Sequence, residues 1–114
     1  MTSVFARPGS TCNVARPSPC WRGIGKPPGS KGYQYRDRDR AFDGLTKIQL
    51  KPNATAAIAS IVVSARGAAL ALGALPSSTP MTVQLHDGSG ICFAATYATN
   101  VSTATSTLFK AKSD

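Results

Sequence analysis

Alternation with a period of two is the strongest constraint in this chain. From residue 32 onward, apolar residues recur at every second position in short runs, and Gly, Pro, Asn or Asp punctuates the runs. That spacing puts apolar side chains on one face of an extended strand and polar ones on the other. Six runs between turn signals read as strands, 32–38, 45–51, 56–66, 80–86, 91–98 and 107–112, and the alternation is plainest in the third, fourth and fifth. The third sets Ala57, Ala59, Ile61, Val63 and Ala65 on one face. The fourth does the same with Met81, Val83 and Leu85. In the fifth, Ile91, Phe93, Ala95 and Tyr97 face away from Cys92, Ala94 and Thr96. Asp43-Gly44 has hairpin-turn chemistry, and "HDGSG" at 86–90 carries two glycines. The stretch 67–80 is rich in Ala and Leu, which favour helix, but glycines bracket its apolar run and prolines follow it, so it reads as a crossing loop. The pattern predicts an all-β domain, a small antiparallel sandwich of about six to seven strands.

The front of the chain has no such pattern. Pro8, Pro17, Pro19, Pro27 and Pro28 interrupt residues 1–30 and exclude a helix or a central strand there. The division expected is an irregular or disordered segment over 1–19 and a β-sandwich domain over 20–114. Trp21, the only tryptophan, is expected to cover one end of the core. A chain of 114 residues supports one domain with a modest core. No apolar run approaches the roughly 18 residues that span a bilayer. Residues 1–20 lack the apolar stretch of a secretory signal, so an exported protein would have to carry its signal outside this sequence.

The formal charge is +8, and it is concentrated at the front. Residues 1–40 hold eight Lys/Arg against two Asp, and 41–114 hold five against three, with no Glu anywhere. Such a balance attracts polyanions without selecting among them. One stretch invites a nucleic-acid reading. Lys31-Gly32-Tyr33 opens like an RNA-binding strand motif, and Tyr35 fits as a second aromatic. The face would comprise Lys31, Tyr33, Tyr35, Arg36, Arg38 and Arg40, making the chain a small basic nucleic-acid-binding β-barrel. Against this, Gln34, Arg36 and Arg38 depart from the motif, and no second aromatic strand completes a stacking platform. Two tyrosines lining a half-buried face account for the pattern more simply, so nucleic acid is disfavoured as a partner.

Chemistry-bearing motifs are sparse. Asp37, Asp39 and Asp43 are spaced like an acidic loop, but an EF-hand needs Gly at its sixth position and Glu at its twelfth, where Phe42 and Ile48 stand. Alternating Arg36, Arg38 and Arg40 make the stretch read as a solvated, aggregation-blocking edge. No metal and no cofactor is expected. His86 and Asp87 are strand neighbours that point to opposite faces, which is poor geometry for a catalytic pair, so no enzyme is expected. The three cysteines, Cys12, Cys20 and Cys92, allow at most one disulfide and leave one thiol. A disulfide would place the chain outside the cytosol. Two glycosylation sequons, at Asn53 and Asn100, fall in expected loops.

A set of segments carries a resemblance: "CWRGIGKPPGSKGYQYRDRDRAFDGLTKIQLKPN", "ASIVVSARGAALALGALPSSTPMTVQL", "GICFAATY" and the ending "FKAKSD". Together they resemble a C-terminal β-domain of uncharacterised bacterial proteins that are mostly predicted to be exported. The resemblance covers about residues 20–114 and implies no assigned activity. It implies a Cys20–Cys92 disulfide, a loop over 67–80 and a natural chain end at Asp114. Residues 1–19 lie outside it. The expectation that follows is a non-catalytic accessory domain, structural or ligand-binding, of an exported or cell-surface bacterial protein. Its partner would be an envelope glycan or protein, and its location extracellular or in the cell envelope.

Overall fold

The computed structural model describes residues 4–52, 59–71 and 79–113. All regular structure among them is β, in antiparallel pairs, with no helix. The strands are β1 (Thr11–Cys12), β2 (Ser18–Pro19), β3 (Trp21–Gly23), β4 (Tyr33–Arg36), β5 (Leu45–Lys51), β6 (Ser60–Ala65), β7 (Met81–His86), β8 (Cys92–Tyr97), β9 (Val101–Ala104) and β10 (Phe109–Ala111). This is the all-β class expected, compatible with a small sandwich. It has more and shorter strands than the alternation showed. The unanticipated ones are β1, β2 and β3, in the proline-rich front, and β9, in a Ser/Thr-rich stretch without apolar alternation. The chain divides into two compact units, Met1–Ala71 and Leu72–Asp114.

The first unit is built on a four-stranded sheet in the order β3-β4-β5-β6. Register decides what each face carries. Trp21 pairs with Tyr35, Tyr35 with Ile48, and Ile48 with Val63, which makes one apolar row across all four strands. The next row on that face runs Gly23, Tyr33, Leu50, Ile61. On the opposite face Arg36 pairs with Lys47 and Lys47 with Ser64, while Gln34 pairs with Gln49 and Gln49 with Val62. The core lies on the apolar face, where Tyr35, Leu45 and Ile48 are buried with Cys12 and Cys20. Trp21 meets Tyr35 edge to face at 5.5 Å and donates its indole N–H to Ala6 O at 3.3 Å. It therefore covers the core as expected, with its polar atom satisfied.

Gly32 and Gly44, which precede β4 and β5, are positions that need glycine. Gly32 has φ of 101°, and a Cβ there would collide with the carbonyl oxygen of Leu50. Asp43 and Gly44 both have positive φ, and Leu45 N donates to Phe42 O across them at 3.0 Å. That is the two-residue turn geometry the Asp-Gly pair foretold.

The second unit holds two hairpins, β7–β8 and β9–β10. In the first, Met81, Val83 and Leu85 share a face with Tyr97, Ala95 and Phe93, and His86 stands opposite Cys92 on the other. The turn is fastened by Asp87, whose carboxylate accepts from Ser89 N, Ser89 Oγ and Ile91 N at 2.7–2.9 Å. These donors hold the Asp87 carboxyl below its ordinary range, the Ser89 hydroxyl most of all. No described residue of this unit is buried.

Two expectations need correcting. Residues 4–19 are not a separate segment. Cys12 is in the core, β1 pairs with β2, Cys20 N donates to Ser10 O, and the backbone N–H groups of Phe5 and Val14 donate to Asp43 and Asp39. The boundary at 19/20 therefore separates nothing. The disulfide joins Cys12 to Cys20, with Cα atoms 5.0 Å apart, and Cys92 is a free, exposed thiol. The β1–β2 ribbon presents Cys12 and Cys20 to each other across eight residues. Closing that loop costs about 2 kcal/mol less chain entropy than closing the 72-residue loop to Cys92. The start of the expected strand at 56 and the middle of the loop at 67–80 lie outside the described residues, as does Asn53; Asn100 immediately precedes β9.

Gly32→Ala is expected to lower stability by about 3 kcal/mol, from left-handed strain plus the clash with Leu50, read as a fall in denaturation midpoint. Tyr35 gives a pH signature. Burial, reinforced by the Asp37 carboxylate, raises its pKa. The unfolded phenol ionises near about pH 10 while the native one stays protonated. Stability should thus be full below about pH 10 and fall as pH climbs toward the raised native value. Denaturation midpoints followed upward from pH 8 should show that fall, and Tyr35→Phe should flatten it.

Candidate functional site

The polar face of the first sheet opens into a groove of about 590 Å³. Four cations line it: Arg36 at the end of β4, Arg38 in the loop that follows, Lys47 on β5 and Arg66 just past β6. Gln34, Thr46 and Ser64 supply neutral polar groups between them, and Asp37 also lines it. The size lies within the ~300–1,000 Å³ of ordinary small-ligand sites.

Backbone hydrogen bonds hold this arrangement. Arg36 N donates to Cys20 O at 2.9 Å, which ties the end of β4 to the disulfide. Arg38 N donates to Asn13 Oδ1 at 2.9 Å, and Arg66 N to Gly44 O at 2.8 Å. Lys47 is set by its register between Arg36 and Ser64. Arg36 and Lys47 are thus direct cross-strand neighbours of like charge, an arrangement that costs a sheet stability. Among the described residues no carboxylate forms an ion pair with any of the four cations.

The nearest carboxylate is already committed. Asp37 is buried, and its two oxygens accept from Asp39 N at 3.0 Å, Arg40 N at 3.1 Å and Ala41 N at 2.8 Å. Asp39 accepts from Val14 N and Asp43 from Phe5 N. The Arg-Asp alternation is therefore not a freely solvated edge. Its aspartates satisfy backbone donors and anchor the N-terminal segment, and its arginines are left without them. No group of three or more metal-ligating side chains comes together among the described residues.

The residues of the expected nucleic-acid face are dispersed. Tyr35 is fully buried, its hydroxyl 4.0 Å from Cys12 Sγ, so it cannot stack on a base. Tyr33 is exposed but lies on the opposite face from Arg36, across Gly29, where a Cβ would sit 2.8 Å from its hydroxyl. Lys31 borders a separate depression with Lys51 and Pro52. Arg40 lies beside Gly67. Only Arg36 and Arg38 enter the groove, and sequence reasoning missed their partners Lys47 and Arg66. The signal for them was the alternation itself, which sets Lys47 on the polar side of its strand. Which strands are neighbours was not in it.

In the second unit, His86 Nε2 lies 3.6 Å from Cys92 Sγ and 3.2 Å from Gln84 Oε1. The His86 tautomer sets which of these two contacts the ring nitrogen donates to and which it accepts from. All three residues are exposed. Compared with known proteins, the chain matches no family model, no curated protein and no solved structure.

Lys47→Glu should stabilise the first unit by about 0.3–1 kcal/mol at low ionic strength, since it turns a repulsive cross-strand pair into an attractive one. Thermal melts of both forms check this. The gain should shrink in about 1 M salt, where the Debye length is roughly 3 Å.

Proposed function

We propose that the chain is a non-catalytic accessory domain, structural or ligand-binding, of an exported or cell-surface bacterial protein. The buried Cys12–Cys20 bridge carries this reading. Disulfides persist in oxidising compartments, and domains with small cores depend on them. The bridge closes only a short loop, so the chain-entropy contribution is about 2.5 kcal/mol, against roughly 4 for a loop near 70 residues. Its position increases its effect, because it sits within the core it supports and fixes the end of β4 through Cys20. The non-catalytic half of the reading is supported by the His86–Cys92 contact. It is an exposed pair on an open hairpin face. The nucleic-acid alternative loses its stacking residue to the core at Tyr35.

Thiol alkylation of natively produced protein, followed by intact mass, tests the compartment. One label before reduction and three after are expected, with Cys92 the early site. Three labels without reduction would remove the argument for export. Replacing Cys12 and Cys20 by Ser should lower stability by about 2–3 kcal/mol.

A further inference from the structure

We infer that the groove of Arg36, Arg38, Lys47 and Arg66 is a binding site for an acidic glycan, a sugar polymer bearing carboxylate or sulfate groups. The inference takes up the ligand-binding half of the reading above. Ordinary surface charges are dispersed or neutralised by nearby carboxylates. Here one strand end, one strand interior and two positions just beyond strands bring four cations to one concavity, and the carboxylate in its lining, Asp37, is buried and accepts from three backbone N–H groups. Arg36 and Lys47 sit opposite each other at a cost that a bound anion would relieve. Three of the four cations are arginines, whose planar forks take an oxyanion by two parallel hydrogen bonds.

The rest of the lining discriminates among polyanions. Gln34 and Ser64 have no side-chain partner among the described residues, and they offer an amide and a hydroxyl to sugar hydroxyls. Among the described residues no aromatic side chain lines the groove, which offers a nucleic-acid base no stacking platform there. A hydroxylated chain recognised through its acidic groups needs no such platform. The basic front of the sequence would draw such a polymer in, and the rigid backbone anchors of the arginines limit the entropy lost on binding.

Titration of the disulfide-bonded full chain tests this with four probes: an oligogalacturonate, a dextran sulfate oligosaccharide, neutral dextran, and a single-stranded oligonucleotide of matched charge. One of the two acidic oligosaccharides should bind tightest, and which one identifies carboxylate or sulfate as the acidic group. Arg36→Gln and Lys47→Gln, on different strands, should each weaken it about tenfold. Lys31→Gln, two residues before β4 and outside the groove, should change it less than twofold, with thermal melts confirming that all three variants fold. Equal losses for Lys31→Gln and Arg36→Gln would reduce the effect to diffuse charge and overturn the site. Binding of neither acidic oligosaccharide would overturn it too. Tighter binding of the oligonucleotide, lost in Arg36→Gln, would reassign the groove to nucleic acid. These outcomes are separable from failure of the export reading, which the alkylation pattern reports independently of any ligand.

Discussion

Tyr35 is packed against Trp21 on one side and the Cys12–Cys20 bridge on the other, and the first unit is organised around that contact. The phenol is fully buried on a four-residue strand, and the ribbon that covers it is held by a covalent bond. Five buried apolar residues among those described make a small core, too small to tolerate the loss of a large member. The bridge limits how far the covering ribbon can move when the chain opens. It also delivers Cys20 O to Arg36 N, so the interaction that closes the core also fixes the first cation of the groove.

Core and groove are two sides of one sheet, and the strand period links them. Every residue that turns Tyr35 and Ile48 inward turns Gln34, Arg36 and Lys47 outward. Aspartates Asp37, Asp39 and Asp43 then solve a backbone problem. The loop from β4 to β5 and the incoming N-terminal segment have N–H groups that lack strand partners, and carboxylate oxygens accept them. The arginines between them keep their charge unneutralised as a by-product. The concentration of positive charge on the groove thus follows from how the backbone is satisfied.

The second unit has a different character. Its hairpins are well registered, and the Asp87 turn is densely hydrogen-bonded, yet Val83, Ile91 and Phe93 remain exposed. Turn chemistry and alternation suffice to make such hairpins, whereas burial has to come from a second layer.

By itself the sequence determined the class of the fold and most of its strands. Period-two alternation is a local property that survives any arrangement of neighbours, and β5, β7 and β8 lie almost where it put them. It also determined the Asp43-Gly44 turn, since positive φ at both positions is a local demand. Only the tertiary structure decided the disulfide partner, the inclusion of residues 4–19 and the membership of the groove. Each depends on which segments become neighbours in space. Cys12 lies in a proline-broken stretch with no periodicity to mark it as core, and the aspartates that anchor it look like solvent-facing charges until their backbone donors arrive. Tyr33 and Tyr35 share a face by the period, but only the covering ribbon buries one and leaves the other exposed. Alternation says which side a residue takes, and long-range packing says what it meets there.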